Sequence, residues 1–390
     1  MIGNFDKTKK KCKIIGAGLS GLTFAYFLKK SGFEVKLLEK EARVGGLAQT
    51  VKTEFGEYEE ACHILKSSQG LIEMLEDLEV PYSFMPIKKK YILYKNNLKS
   101  LNLKPLELLI AIFKGIFLFK KTSYFSLEEF CSYHFGKKTT EKMFNAIARG
   151  TFGIEVSQLS SKTMFLEYQN SRTKLPFLLY QMTKKRGNSN KLILIEGGIK
   201  TLLGKLYKYL ANEIELNQNV ENLVLNPNQN TIIATPAYIA GKLLNDADLT
   251  AIKYTDIIQS WGFFNQEKFN LKQKCIGFLN AEKNAMLYGT LMTGFYKKQD
   301  FFLTTNFYNK EAKNINSEHI KNLGFSTEDA VFQIAKYKEK ALPIYAESLF
   351  SHLEKLKKKN YNCLIIGNYC GEISFSKIAD LYRNYLSNFV

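Results

Sequence analysis

Cysteine is scarce and scattered. The six cysteines never form Cys-x-x-Cys and never cluster with histidine, which argues against a zinc site or a disulfide framework and suits a reducing cytosol. Arginine is scarcer still. Of 55 basic residues only Arg43, Arg149, Arg172, Arg186 and Arg383 are arginine. Nucleic-acid readers rely on the arginine fork, so a lysine-dominated surplus of +18 argues against a nucleic-acid partner. The surplus itself has two readings, a lysine-biased composition or attraction to anionic partners. No apolar run is long enough to span a bilayer, and no secretory signal is visible in the polar N-terminus, so a cytoplasmic location is expected. Repeats and long disordered linkers are missing too. What remains is 390 residues, 45% of them hydrophobic, enough for two or three packed subdomains.

The first fifty residues carry the strongest signal. Residues 12–15 read as a short buried strand, 22–31 as a helix, and 33–38 as a second strand. Between the first strand and the helix lies Gly16-Ala17-Gly18-Leu19-Ser20-Gly21, and the second strand ends in Glu39 followed by Lys40. The three glycines act differently. Gly16 makes the tight turn, Gly18 admits a pyrophosphate against the backbone, and Gly21 lets the helix approach the strand. Leu19 and Ser20 lie in the same turn as cofactor-binding candidates, and the free N–H groups of the helix N-terminus face the phosphates. Glu39 is placed to accept the ribose hydroxyls, and a carboxylate there repels a 2′-phosphate, which disfavours NADP. The fingerprint alone leaves NAD and FAD open.

Arg43-Val44-Gly45-Gly46-Leu47 follows directly. It resembles the Arg-x-Gly-Gly element of the flavin amine oxidase superfamily, in which the backbone passes close to the flavin phosphates and ring. The resemblance therefore implies FAD as cofactor. Leu47 stands where that family usually has arginine. Residues 55–63 resemble the family's Gly-Phe-x-x-Asp-x-Gly-x-His strand, with Ala61 replacing a glycine and His63 lining the flavin pocket or serving only structure. Further segments match the superfamily's protoporphyrinogen oxidases in order along the chain: Gly150-Thr151-Phe152-Gly153 with Gln158-Leu159-Ser160, Glu196-Gly197-Gly198, Ile276-Gly277-Phe278-Leu279, and Ala341-Leu342-Pro343-Ile344-Tyr345. In this resemblance Val220 meets the adenine end and Thr235 ends a returning strand. Gly367, Asn368, Gly371, Ile373 and Ser374 form the last flavin motif, ahead of a helix at 375–389. Residues 226–230 and 186–190 read as loops.

The implied fold is α/β (α+β), with three parts. A Rossmann-like FAD-binding domain is assembled from 1–85, 190–250 and 355–390. A sheet-based substrate domain takes 86–100 and 251–354, its strands announced by alternation over 253–310. A helical lobe covers 101–189. The implied activity is oxidation of a porphyrinogen to a porphyrin by hydride transfer to flavin, and no metal is expected. Lys90, just before Tyr91, is the residue to hold a substrate propionate, unless the lysine run 88–90 is simply solvated. Other flavin amine oxidases or desaturases, an FAD-bound isomerase of the UDP-galactopyranose mutase kind, and a flavin or tetrapyrrole binder without turnover are the competing readings. Residues 106–119 are almost wholly apolar with a lysine edge, which suits either a helix lying on the inner face of the cell membrane or a core helix. The oligomeric state is left open.

Overall fold

The computed structural model describes residues 1–62, 65–86, 91–94, 97–100, 126–163, 191–265, 275–281, 286–293, 301–309 and 329–387, together with Pro105, Glu107, Leu109 and Phe113. Its first sheet has six strands in the order Ile2–Gly3, Leu364–Ile365, Asn230–Ile233, Lys11–Ile15, Glu34–Leu38, Ile214–Glu215. All pairings are parallel except that of Ile2–Gly3. Parallel neighbours need crossovers, so strands distant in sequence are drawn from the beginning, the middle and the end of the chain.

Both faces of this sheet are covered, as a parallel sheet requires. On one side the helix Leu19–Lys30 buries Leu22, Phe24, Tyr26 and Leu28, and it packs against the helices Phe375–Ser387 and Ile199–Tyr209. Each large apolar side chain buried there contributes about 1.5–3 kcal/mol. On the other side Ile233 and Ile365 meet the helices Leu127–Phe135, Ala237–Leu244 and Glu347–Lys358.

A second sheet of seven strands runs Ala330–Pro343, Tyr254–Asn265, Phe301–Asn309, Met286–Thr293, Cys275–Asn280, Tyr91–Tyr94, Asn97–Ser100. The strand Tyr254–Asn265, second from the edge, is buried on both faces from Ile257 to Phe264. One short hairpin joins the two sheets. Thr50–Lys52 pairs with Glu57–Glu59, the Tyr58 ring stacks 4.5 Å from Trp261, and the Trp261 Nε1–H donates to the Glu59 carbonyl at 3.0 Å. The fold class expected from the sequence, Rossmann-like with a second sheet and helices, is the one observed.

Local expectations shift in three places. Asn230 does not close a loop; it opens a strand and is buried. Its Nδ2 donates to the Asp6 and Lys9 carbonyls at 2.8 and 3.0 Å, and its Oδ1 accepts from the Asp6 N–H at 2.8 Å. A buried network thus overrides the turn preference of asparagine. The apolar stretch 362–366 ahead of the last flavin motif reads as a strand over its whole length, yet only Leu364–Ile365 forms one. Finally, Ala330–Pro343 is a strand of 14 residues, well beyond the stretch over which alternation announced strands. The 186–190 loop lies outside the described residues, as does nearly all of 101–125.

Candidate functional site

The nucleotide end of the site is built from backbone. Gly16 has φ +102°, and its N–H donates to the Leu38 carbonyl at 2.8 Å, which closes the turn. A Cβ on Gly21 would collide with the Gly16 carbonyl oxygen, so helix and strand touch directly there. A Cβ on Gly18 would meet no protein atom within 4 Å. Gly18 is also the N-cap of Leu19–Lys30 and supplies no side-chain cap, so the helix N-terminus opens on space. The missing Cβ at Gly18 is therefore unexplained by protein packing and suits a ligand group lying against the backbone.

Behind this turn, the buried Glu39 carboxylate accepts from the Ala17 N–H at 2.7 Å and the Glu41 N–H at 3.0 Å. Each oxygen keeps a second lone pair for a hydroxyl. Gly45 and Gly46 both have positive φ and run beside Gly18, with the Gly45 N–H donating to the Ala17 carbonyl at 2.8 Å. Arg43 pins this turn by donating to the Gly46 carbonyl at 3.0 Å and the Val44 carbonyl at 3.3 Å.

These elements line one end of a cavity of about 2650 Å³. Small-molecule pockets usually hold about 300–1,000 Å³. The excess leaves room for a second large molecule beside a dinucleotide. Of the sequence-predicted site residues, Gly16, Gly18, Leu19, Ser20, Glu39, Lys40, Arg43, Gly45, Gly46, Leu47, Val220, Thr235, Gly367, Asn368, Gly371, Ile373 and Ser374 all border it. Gly21 does not border it and sits at the contact between helix and strand. His63 and Lys90 lie outside the described residues.

Two buried hydroxyls on the wall, Thr235 Oγ1 and the Tyr369 OH, have no hydrogen-bond partner among the described residues. The glycine cradle and the Glu39 carboxylate fit FAD, the cofactor expected from the sequence. The turn after Leu364–Ile365 places Gly367 (φ +150°) and Gly371 (φ +114°) on the same wall. There the Ser374 N–H donates to the Glu372 carboxylate at 3.0 Å, and Phe375–Ser387 begins.

The far wall is the second sheet. Ile257, Phe278, Phe307 and Leu342 make it apolar, and Tyr91 borders it. Charged residues that sequence reasoning missed also border the cavity, among them Arg149, Lys338 and Lys340. Arg149 is buried on the helix Asn145–Phe152, with its Nε 3.3 Å from Glu155, and burial lowers its pKa from the usual guanidinium value. Lys338 has a pKa lowered to about 8, chiefly by burial. At the seam between the sheets, Glu59 is buried beneath the Ile199 N–H and the Thr50 hydroxyl, both bonded to its carboxylate at 2.9 Å. Burial outweighs those bonds and pushes its carboxyl up to about 7.

Comparison with known proteins agrees with this construction. Residues 14–78 match the family model of NAD(P)-binding Rossmann-like domains. The chain is 28% identical over 183 residues to protoporphyrinogen oxidase 2, chloroplastic/mitochondrial, of Arabidopsis thaliana, covering 41% of this chain and 36% of the relative. It is 26% identical over 258 residues to the mitochondrial protoporphyrinogen oxidase of Nicotiana tabacum, covering 55% and 50%. The matches thus span between a third and a half of these relatives. Among solved structures, a candidate protoporphyrinogen oxidase from Exiguobacterium sp. 255-15 superposes with a TM-score of 0.74 at 14% identity, over 97% of this chain and 98% of that one. A reduced UDP-galactopyranose mutase gives 0.69 at 14% identity, over 97% and 96%. At such identities the structures speak for the fold alone, one shared with FAD-dependent oxidoreductases. The resemblance read from the motifs, to protoporphyrinogen oxidases of the flavin amine oxidase superfamily, is borne out.

Proposed function

We propose that the chain is an FAD-dependent oxidoreductase that converts a porphyrinogen, protoporphyrinogen IX or a close relative, to the porphyrin. The observation that carries this reading is the continuous cavity running from the glycine cradle to an apolar sheet wall, far larger than a dinucleotide needs. The conversion takes several successive two-electron oxidations; bound FAD would supply the acceptor for each and be reoxidised between them by oxygen or another acceptor. The protein's own part is then binding, orientation and exclusion of water. Gly18 and the N-terminus of Leu19–Lys30 hold the pyrophosphate, Glu39 the adenosine ribose, and Val220 the adenine end. Thr235 and the Gly367–Ser374 turn hold the flavin end. Ile257, Phe278 and Phe307 give a flat macrocycle an apolar wall, while Lys90 and His63 complete the substrate contact. The division into FAD-binding segments, substrate sheet and helical lobe belongs to the same reading.

Purified protein should show a bound-flavin spectrum and release FAD on denaturation. Anaerobic addition of protoporphyrinogen IX should bleach the flavin band. Release of a nicotinamide cofactor alone would overturn the cofactor assignment, and a flavin band that stays unbleached would overturn the substrate. An isomerase site would gather arginines on a diphosphate. The two described arginines on this cavity are instead engaged separately, Arg43 with the Gly46 carbonyl and Arg149 with Glu155.

The same reading places residues 101–121 on the inner face of a membrane, where a poorly soluble porphyrin is exchanged. No helix among the described residues is long and apolar enough to cross one. Of the few residues described there, Leu109 and Phe113, one helical turn apart, are 62% and 64% exposed. Salt-sensitive co-sedimentation with anionic vesicles, lost in Phe113→Ser, supports this surface role; absence of vesicle binding at low salt removes it.

A further inference from the structure

Ala330–Pro343 is an edge strand of the seven-stranded sheet. Its alternation carries Phe332 and Ile334 inward at one end and Lys336 and Lys338 inward further along. Inward lysines are uncommon and need a reason. Lys336 and Lys338 face one carboxylate, Glu60. Lys336 donates directly to its Oε1, which leaves Lys338 3.9 Å from Oε2 and bonded instead to the Glu60 main-chain oxygen. The Lys338 side chain is only 12% exposed, and its Nζ sits 5.7 Å from the Trp261 ring centroid. Burial lowers its pKa; the Glu60 carboxylate opposes that and the Lys336 charge adds to it, with the Cys62 thiol as the other titratable neighbour.

The backbone next to it is shaped as well. The register against Tyr254–Asn265 breaks between Lys338 and Leu342, and Lys340 has φ +50°. A left-handed backbone is strained for a lysine. Asp256 holds it there by accepting from the Lys340 N–H at 2.8 Å. Bulges re-aim side chains, and here Lys340 joins Lys338 on the cavity wall. Its Nζ lies 4.8 Å from the Tyr238 ring and 3.4 Å from Glu339, a residue 67% exposed.

We propose that Lys338 and Lys340 form a recognition strip for a dianionic ligand, one carboxylate to each ammonium group. The strip rests on the porphyrinogen reading only for the identity of that ligand, since two propionates on one flat ring system meet the requirement.

The test uses two probes on the full-length protein. Protoporphyrin IX and its dimethyl ester are titrated by fluorescence quenching. Wild type should hold the diacid at least about tenfold tighter than the ester, and Lys338→Met/Lys340→Met should erase that preference while Lys338→Arg/Lys340→Arg keeps it. If Lys338→Met fails to fold, the more exposed Lys340→Met alone should remove part of the preference. Equal binding of diacid and ester by wild type overturns the strip and leaves the porphyrin reading standing. Failure of both porphyrins to bind removes the porphyrin reading, and the strip is then decided by the second probe. Lysines are reductively methylated with 13C, and the Lys338 resonance is identified by its loss in Lys338→Arg. Straight-chain dicarboxylates from succinate to sebacate should raise the pH at which this resonance titrates, with an optimum in chain length and no such effect from butyrate. A titration that no dicarboxylate moves overturns the strip.

Discussion

The two ends of the cavity are made of different material. The nucleotide end is main chain: Gly16, Gly18, Gly45 and Gly46, with the buried Glu39 carboxylate behind them. The sheet end is side chain: Ile257, Phe278 and Phe307, together with Lys338 and Lys340. A backbone site tolerates no added atom and is encoded over a short stretch. A side-chain site tolerates exchange and depends on which strands pair. The first is thus rigid in sequence, whereas the second is where substrate choice is free to drift.

The contrast is sharpest at two glycines three residues apart. Gly21→Val drives a side chain into the Gly16 carbonyl and should cost about 3 kcal/mol or more, a loss read as insoluble protein or a large drop in Tm. Gly18→Val meets only open space in the protein, so stability without cofactor should stay within about 1 kcal/mol of wild type while bound flavin disappears. Retention of flavin by Gly18→Val would undo the assignment of the cradle. At the other end, Lys90→Ala should lower kcat/KM for the porphyrinogen by roughly ten- to a hundredfold with flavin content unchanged. Unaltered kinetics would remove Lys90 from the site.

Glu59 lies between the two ends and links them through pH. Its carboxylate caps Ile199–Tyr209 while its main-chain oxygen accepts from Trp261 and Gln259. Because burial raises its folded pKa to about 7, the protonated form is the one the fold prefers. The stabilisation is present in full below the unfolded value near 4.5 and is lost as pH rises through about 7. Glu59→Gln keeps the shape and stays neutral. It should match wild type at pH 5 and exceed it at pH 8 by about 1–2 kcal/mol in thermal or urea unfolding. Parallel pH profiles for the two proteins would show that Glu59 is not the group responsible.

Legibility in the sequence divides along the same line. The strand–turn–helix–strand unit is legible because glycine spacing and a change of period from 2 to 3.6 are local signals. The return of the middle and C-terminal segments to one sheet is legible only through resemblance, since parallel pairing leaves no local mark. Asn230 reads wrongly as a loop because turn propensity is local and its partners Asp6 and Lys9 are not. The strand Ala330–Pro343 escapes notice because lysines on its inward face disguise the alternation that marks a half-buried strand. Thr235 follows from a motif, but nothing in the sequence says that its hydroxyl is buried without a partner among the described residues.

The smallest effect concerns Leu47, a departure from the resembling family at the nucleotide end. It borders the cavity just after the glycine pair, yet is 59% exposed, an unusual place for a leucine of no packing value. The nearby cations are committed elsewhere: Arg43 to the carbonyls of its own turn, and Lys40 to Glu41 at 3.1 Å. The phosphate side of the cradle therefore relies on N–H groups and the helix terminus. Leu47→Arg adds a guanidinium where the resembling family carries one. Removing an exposed leucine should leave stability within about 0.5 kcal/mol. A charge-assisted contact in a solvent-exposed setting is worth about 1 kcal/mol, so FAD should bind up to about fivefold tighter, measured by flavin release against dilution. The gain should shrink with added salt, as an exposed ionic contact must. A salt-independent gain would point to altered packing of the turn, and no gain at all would mean that the backbone cradle already meets the phosphates in full.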